Sequence, residues 1–290
     1  QPGRFGRRHA WKRTLWFGSG QYHDGGRLLS VFKLMRVVLL LSILFVILLS
    51  TWMTENRMAA WERPILVTIY PVMADDEAAT ERYVQRLEQE TFAEINAFFE
   101  REAGPYGFRV TPAFRFQMAR PVADRPPAVP DQGDPLGIAW WSLKMRWWSM
   151  LKKWDDGLTS PDIQMFVLYH TLNGSNELGI SVGMRKGRYG LVKAYAQKSL
   201  EDTNNIVFTH ELLHVLGATD KYVLSTGEPI FPEGYAWPDQ RPLFPQTQAE
   251  IMGGRTALSS YSSVMPDSLE ECRIGRVTAE EIGFLDKLRE

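Results

Sequence analysis

Apolar positions along this chain fall into blocks of different period. Residues 37–53 (VVLLLSILFVILLSTWM) contain no charge and are apolar on every face, which predicts a membrane-spanning helix and not a buried core helix. Leu34 and Met35 extend the run if Arg36 snorkels to the headgroups, and Trp52 falls at the far interface. The predicted anchor is therefore 34–53, followed by a juxtamembrane linker over 54–63. Ile65–Tyr70 (ILVTIY) has the β-branched content of a strand. From Glu77 to Glu102, Tyr83, Val84, Leu87, Phe92, Ile95, Phe98 and Phe99 form a helical stripe, which Gly104 and Pro105 terminate. Arg109–Phe116 alternates as a second strand, Pro121–Pro135 is a proline-rich loop, and Leu136–Trp154 is a tryptophan-heavy helix. Ile163–Tyr169, Leu178–Val182 and Tyr189–Ala196 read as three further strands, with the basic turn Arg185–Arg188 between the last two. A helix capped by Asp202 or Thr203 runs to about Leu216, with Gly217 as its stop. Thr278–Leu288 closes the chain as a helix. This order predicts an α+β domain over 64–290, a mixed β-sheet packed on helices, preceded by one transmembrane helix.

Charge sharpens the first of these predictions. The chain is 44% hydrophobic with a net charge of −1, but residues 1–36 hold eight Lys/Arg against Asp24 alone. A basic tail before an acidic body points to a membrane between them, and away from nucleic acid as a partner. The positive-inside rule then places a disordered tail, 1–33, in the cytoplasm and the remainder outside it, as a signal-anchored single-pass protein in contact with the lipid bilayer. A cleaved signal peptide is the alternative, although no clean small-x-small site follows the apolar run. The single cysteine, Cys272, can form no intramolecular disulfide. That suits the periplasmic side of a bacterial inner membrane, and Cys272 reads as a small buried residue.

The chemistry is concentrated in His210-Glu211-Leu212-Leu213-His214. Imidazoles four residues apart share a helix face and can bind one ion, and Glu211 sits where a carboxylate can take a proton from a metal-bound water. This is the H-E-x-x-H arrangement of zinc-dependent peptidases. Of the five histidines, His9 and His23 fall in the basic tail, which leaves His170 as the one further imidazole for the site. Gly217 can turn the chain out of the helix and bring Asp220 back towards the metal. Asp220 is thus the expected third ligand, with Glu250 and His170 as alternatives. One Zn2+ held by His210, His214 and Asp220, with Glu211 as general base, would hydrolyse peptide or protein substrates.

The segment from His210 through His214 and Gly217 to Asp220 resembles the metzincin clan, in the minority form with aspartate as last ligand seen in snapalysin-like peptidases. The resemblance implies a metzincin-like catalytic domain with a methionine turn beneath the metal, for which Met252 and Met265 both qualify. Two other classes stay open: another zinc hydrolase, such as a peptidoglycan amidase, or a non-catalytic module that keeps the metal structurally. Residues 140–154 interleave Trp140, Trp141, Trp147, Trp148 and Trp154 with Lys144, Arg146, Lys152 and Lys153, so they read either as a core helix or as an interfacial one. The long aromatic segment Leu224–Gln248 reads as a wall of the substrate cleft or as structural filler.

Overall fold

The computed structural model describes residues 33–46, 49, 61–107, 111–130, 134–155, 157–172 and 181–285. The chain divides into two compact units, Gln1–Thr54 and Glu55–Glu290. In the first, residues 33–46 are helical. The expected transmembrane helix is overturned: among the described residues no helix is long and apolar enough to cross a membrane. A span needs roughly 20 apolar residues, about 30 Å at 1.5 Å per residue. The stretch 33–46 falls short of that, and Lys33 and Arg36 occupy its first turn. The single-pass placement of the chain falls with it. The rest of the tail over 1–33 and most of the linker over 54–63 lie outside the described residues.

The second unit is built on a five-stranded sheet in the order β2-β1-β3-β5-β4. Its strands are β1 (Ile65–Met73), β2 (Phe114–Met118), β3 (Ile163–His170), β4 (Val182–Met184) and β5 (Tyr189–Tyr195). The first four neighbours run parallel, with Val67 opposite Ile163 and Gln164 opposite Tyr189, whereas β4 closes the edge antiparallel to β5. Side chains alternate across a strand, so β1, β3 and β5 each feed two cores. Ile65, Val67 and Ile69 of β1, Ile163, Met165 and Val167 of β3, and Val192 and Ala194 of β5 enter the larger one. Tyr70 and Val72, Phe166 and Leu168, and Tyr189 and Leu191 enter the other. The sheet is thus covered by helices on both faces.

On the larger face lie α2 (Ala93–Ala103) and α4 (Glu201–Leu216), together with α1 (Ala78–Val84). The predicted single helix over 77–102 is therefore two, joined by a 3-10 turn at Gln89–Phe92. No glycine or proline marks the break. It is tertiary, because α1 packs on β1 and β3 while α2 packs on α4. On the other face, α3 (Pro135–Asp155) buries Trp141 and Met145 against Tyr70, Phe166 and Leu191. The tryptophan helix is thus a core helix, with Trp140 and Trp147 on its outward side. After α4 come short ladders, β6 (Ala249–Glu250) with β9 (Cys272–Arg273) and β7 (Thr256–Ser259) with β8 (Ser262–Val264). Then α5 (Arg276–Glu281) is shorter than the predicted closing helix: residues 282–285 form turns and a bend, and 286–288 lie outside the described residues. Cys272 is fully buried, and burial pushes its thiol up to about 12.

Candidate metal centre

The site is carried by α4. Its N-cap is Leu200 and makes no side-chain hydrogen bond, so neither Asp202 nor Thr203 caps it; Glu201 and Asp202 lie instead in the first turn, where the helix dipole favours negative charge. The side chain of Asn204 fixes the start of the helix to the sheet, accepting from the Tyr195 amide and donating to the Tyr195 carbonyl, both at 2.9 Å. The helix ends where expected. Gly217 has φ +120°, a conformation that side chains rarely adopt, and its N–H donates to the carbonyls of Leu213 and His214. The reversal returns residues 218–220 along the helix they have just left.

His210, His214 and Asp220 then meet: one ligand atom from each lies within 4.8 Å of the others. Asp220 Oδ1 is 3.2 Å from His210 Nε2 and 3.1 Å from His214 Nε2. Both imidazoles are oriented from behind. His210 Nδ1 lies 2.9 Å from the Ile251 carbonyl, and His214 Nδ1 lies 2.9 Å from the Ala218 carbonyl. A carbonyl only accepts, so each Nδ1 carries the proton and, in the neutral ring, each Nε2 presents a lone pair. Two nitrogen lone pairs and a carboxylate oxygen facing one another repel unless a cation lies between them. A tetrahedral zinc at about 2.0–2.1 Å from its ligands sets neighbouring ligand atoms roughly 3.3 Å apart, which the two Asp220 separations match. The donor set and its spacing fit a zinc ion.

The electrostatics follow from the same packing. Burial pushes the Asp220 carboxyl up, but when protonated imidazoles take the place of a bound cation, the Nε2–H groups of His210 and His214 donate to it and hold it well below the usual carboxylate range. Burial likewise opposes the protonation of His214, and Asp220 and the Ala218 carbonyl overcome it, leaving His214 above its ordinary value. Glu211 is only 6% exposed. Burial raises its carboxyl above the ordinary glutamate range, against the pull of His210 and His214. Gly183 of β4 packs closely against that carboxylate, and among the described residues its Oε2 has no hydrogen-bond partner. A buried carboxylate of this kind has an atom free to accept a proton.

The other sequence candidates lie elsewhere. Glu250 is fully buried and accepts from the Met252, Gly253 and Gly275 amides and the Thr278 hydroxyl, so its oxygens are taken. His170 ends β3 outside the cluster. His9 and His23 are outside the described residues. Met252 is fully buried directly after Ile251, whose carbonyl orients His210, whereas Met265 is half-exposed. Of the two methionines, Met252 is the one adjoining the site. Leu224–Gln248 folds as an ordered loop pinned by Gln246, which bonds the amide and carbonyl of Trp237. It helps line a cavity of about 310 Å³ with Tyr106 and Arg273, and none of the four site residues is among its walls. The cleft-wall expectation is therefore not met by this cavity.

Sequence reasoning missed Gly183, Tyr222 and the backbone carbonyls of Ile251 and Ala218. Tyr222 stands 6.3 Å from His210, ring to ring, and burial with the nearby Asp220 charge pushes its hydroxyl up to about 12. Its position two residues after the expected ligand was the one available signal for any of them.

No protein-family model and no curated protein sequence matches the chain. Among solved structures, wild-type OgpA from Akkermansia muciniphila is similar at 14% identity with a TM-score of 0.40, covering 76% of this chain and 60% of that one. A catalytically inactive OgpA from the same organism, in complex with an O-glycopeptide (glycodrosocin) substrate, gives 13% identity, a TM-score of 0.39 and coverage of 79% and 62%. The chain thus spans about three-fifths of the length of these proteins. A likeness of that degree carries no functional argument.

Proposed function

We propose that the chain is a zinc-dependent peptidase in which His210, His214 and Asp220 hold the ion and Glu211 is the general base. The observation that carries this reading is the convergence of two Nδ1-protonated imidazoles and one carboxylate beside the buried Glu211 carboxylate with its unpartnered Oε2. When bound, zinc supplies a Lewis acid for the scissile carbonyl and makes a water acidic enough to attack near neutral pH. Glu211 takes a proton from the attacking water as its oxygen bonds the carbonyl carbon, then gives it to the amine nitrogen as the C–N bond breaks. The close packing of Gly183 leaves Glu211 little room to move, and the Ile251 and Ala218 carbonyls keep both imidazoles in the required tautomer. A peptide substrate suits β4, the terminal strand of the sheet, which abuts Glu211 and can pair with an extended chain.

The test is metal content and peptide hydrolysis of the full chain against Glu211→Gln. Near-stoichiometric zinc in both is expected, with hydrolysis reduced about 10²–10⁴-fold in the variant. Zinc in both with no cleavage of a broad peptide library would replace this reading by a narrower hydrolase or a binding module. Absence of zinc from the parent would remove it.

A further inference from the structure

Asp220 is held in place by its neighbours in the chain. It stands in an irregular segment between Gly217 and the next bridged residue, and is itself one-third exposed. Thr219, before it, donates from its amide to Glu281 Oε2 at 3.0 Å and from its hydroxyl to Oε1 at 2.7 Å. Lys221, after it, is 2% exposed and donates from Nζ to Glu281 Oε2 at 2.7 Å and to the Thr219 carbonyl at 2.9 Å. A single carboxylate at the end of α5 therefore grips both residues that flank Asp220. Bonds with ionised partners are short and strong, and a buried ammonium left without its carboxylate is expensive, so this clamp is hard to open.

The opposite end of α5 is held by Glu250, which takes the Gly275 amide and the Thr278 hydroxyl on Oε1 and the Met252 and Gly253 amides on Oε2. The Met252 carbonyl in turn accepts from the Lys221 amide at 2.9 Å. The turn that orients His210 through Ile251 and the loop that carries Asp220 are thus braced by the same short helix.

We propose that Glu281 is a positioning residue for the metal centre: through Thr219 and Lys221 it fixes the aim of Asp220 at the point shared with His210 and His214. This rests on reading those three residues as the metal ligands. Glu281 touches none of them directly, so it acts through the pose of Asp220. Losing the clamp lowers metal affinity because the carboxylate must then be ordered at the moment of binding.

The experiment is zinc affinity of the full chain by chelator competition, for the parent, Glu281→Gln, Thr219→Val and the reference His210→Ala. Thermal midpoints of the metal-stripped proteins are measured alongside, to register folding separately. Glu281→Gln is expected to weaken zinc about 10–100-fold. Thr219→Val, an exposed residue that loses only one of the bonds, is expected to weaken it less and in the same direction. If Glu281→Gln folds and holds zinc within about twofold of the parent, the inference is overturned. If it fails to fold, Thr219→Val decides, since parental affinity there overturns the clamp and weakened affinity supports it. A parent that binds zinc no better than His210→Ala defeats the metal-site reading itself, and the clamp falls with it.

Discussion

A methyl group at residue 183 would overlap the Glu211 carbonyl and the His214 Cβ and press on the Glu211 carboxylate. Gly183 is there because β4 and α4 approach to backbone distance, leaving no room for a side chain. Gly183→Ala is expected to destabilise the domain by about 1–3 kcal/mol through overpacking and to reduce zinc affinity and hydrolysis together. A folded variant with parental zinc affinity and rate would contradict the close approach. At this scale the sequence named the groups proposed to carry chemistry, since His210, Glu211, His214 and Asp220 lie within one helix and its exit turn. It did not reveal what orients them. Ile251 and Ala218 contribute only a carbonyl, which every residue has, and Gly183 contributes the absence of a side chain. It likewise left Glu250 open as a ligand, and four donors on its carboxylate close that option.

Among elements, α4 and its stop at Gly217 were legible because a helix face and a turn glycine are local properties. The break between α1 and α2 was not, since two separate packing surfaces impose it. Helix α5 overlaps the predicted closing helix, but no local pattern shows that it joins the floor of the site to the Asp220 loop. Burial pushes the Glu281 carboxyl up, but Lys221 and the Thr219 hydroxyl and amide hold it below the ordinary glutamate range. A carboxyl whose pKa is depressed by folding contributes stability that is complete above the unfolded value. That contribution is lost as pH falls through the lower folded value. The metal-stripped parent is therefore expected to lose thermal stability as pH falls through this acid window, and Glu281→Gln to give a flatter curve there. Superimposable curves would show that the clamp does not contribute to stability.

For the molecule as a whole, the beginning and end of the described Glu55–Glu290 unit meet at Trp61. It is 3% exposed, donates from Nε1 to the Ile282 carbonyl at 2.7 Å, and lies against the rings of Phe114 and Phe284. Trp61→Ala is expected to cost about 3–5 kcal/mol, seen as a lower denaturant midpoint with unchanged slope. A loss below about 1 kcal/mol would mean that this closure is not integral to the core. The sequence placed Trp61 in a linker, because a single aromatic residue before the first strand has no period to announce its burial. The same limit of local reading produced the transmembrane span: charge-free composition suggested one, and helix length among the described residues does not allow it. By itself the sequence determined what depends on near neighbours: the three central strands by their apolar runs, α4 by its motif and stop, and the residue types able to bind a metal and move a proton. Tertiary structure decided which distant groups meet, putting β4 against Glu211, the Ile251 carbonyl behind His210, and Glu281 beside the residues that flank Asp220. Those contacts join residues tens of positions apart, and the energy that selects among them comes from burying two cores at once, which no window along the chain contains.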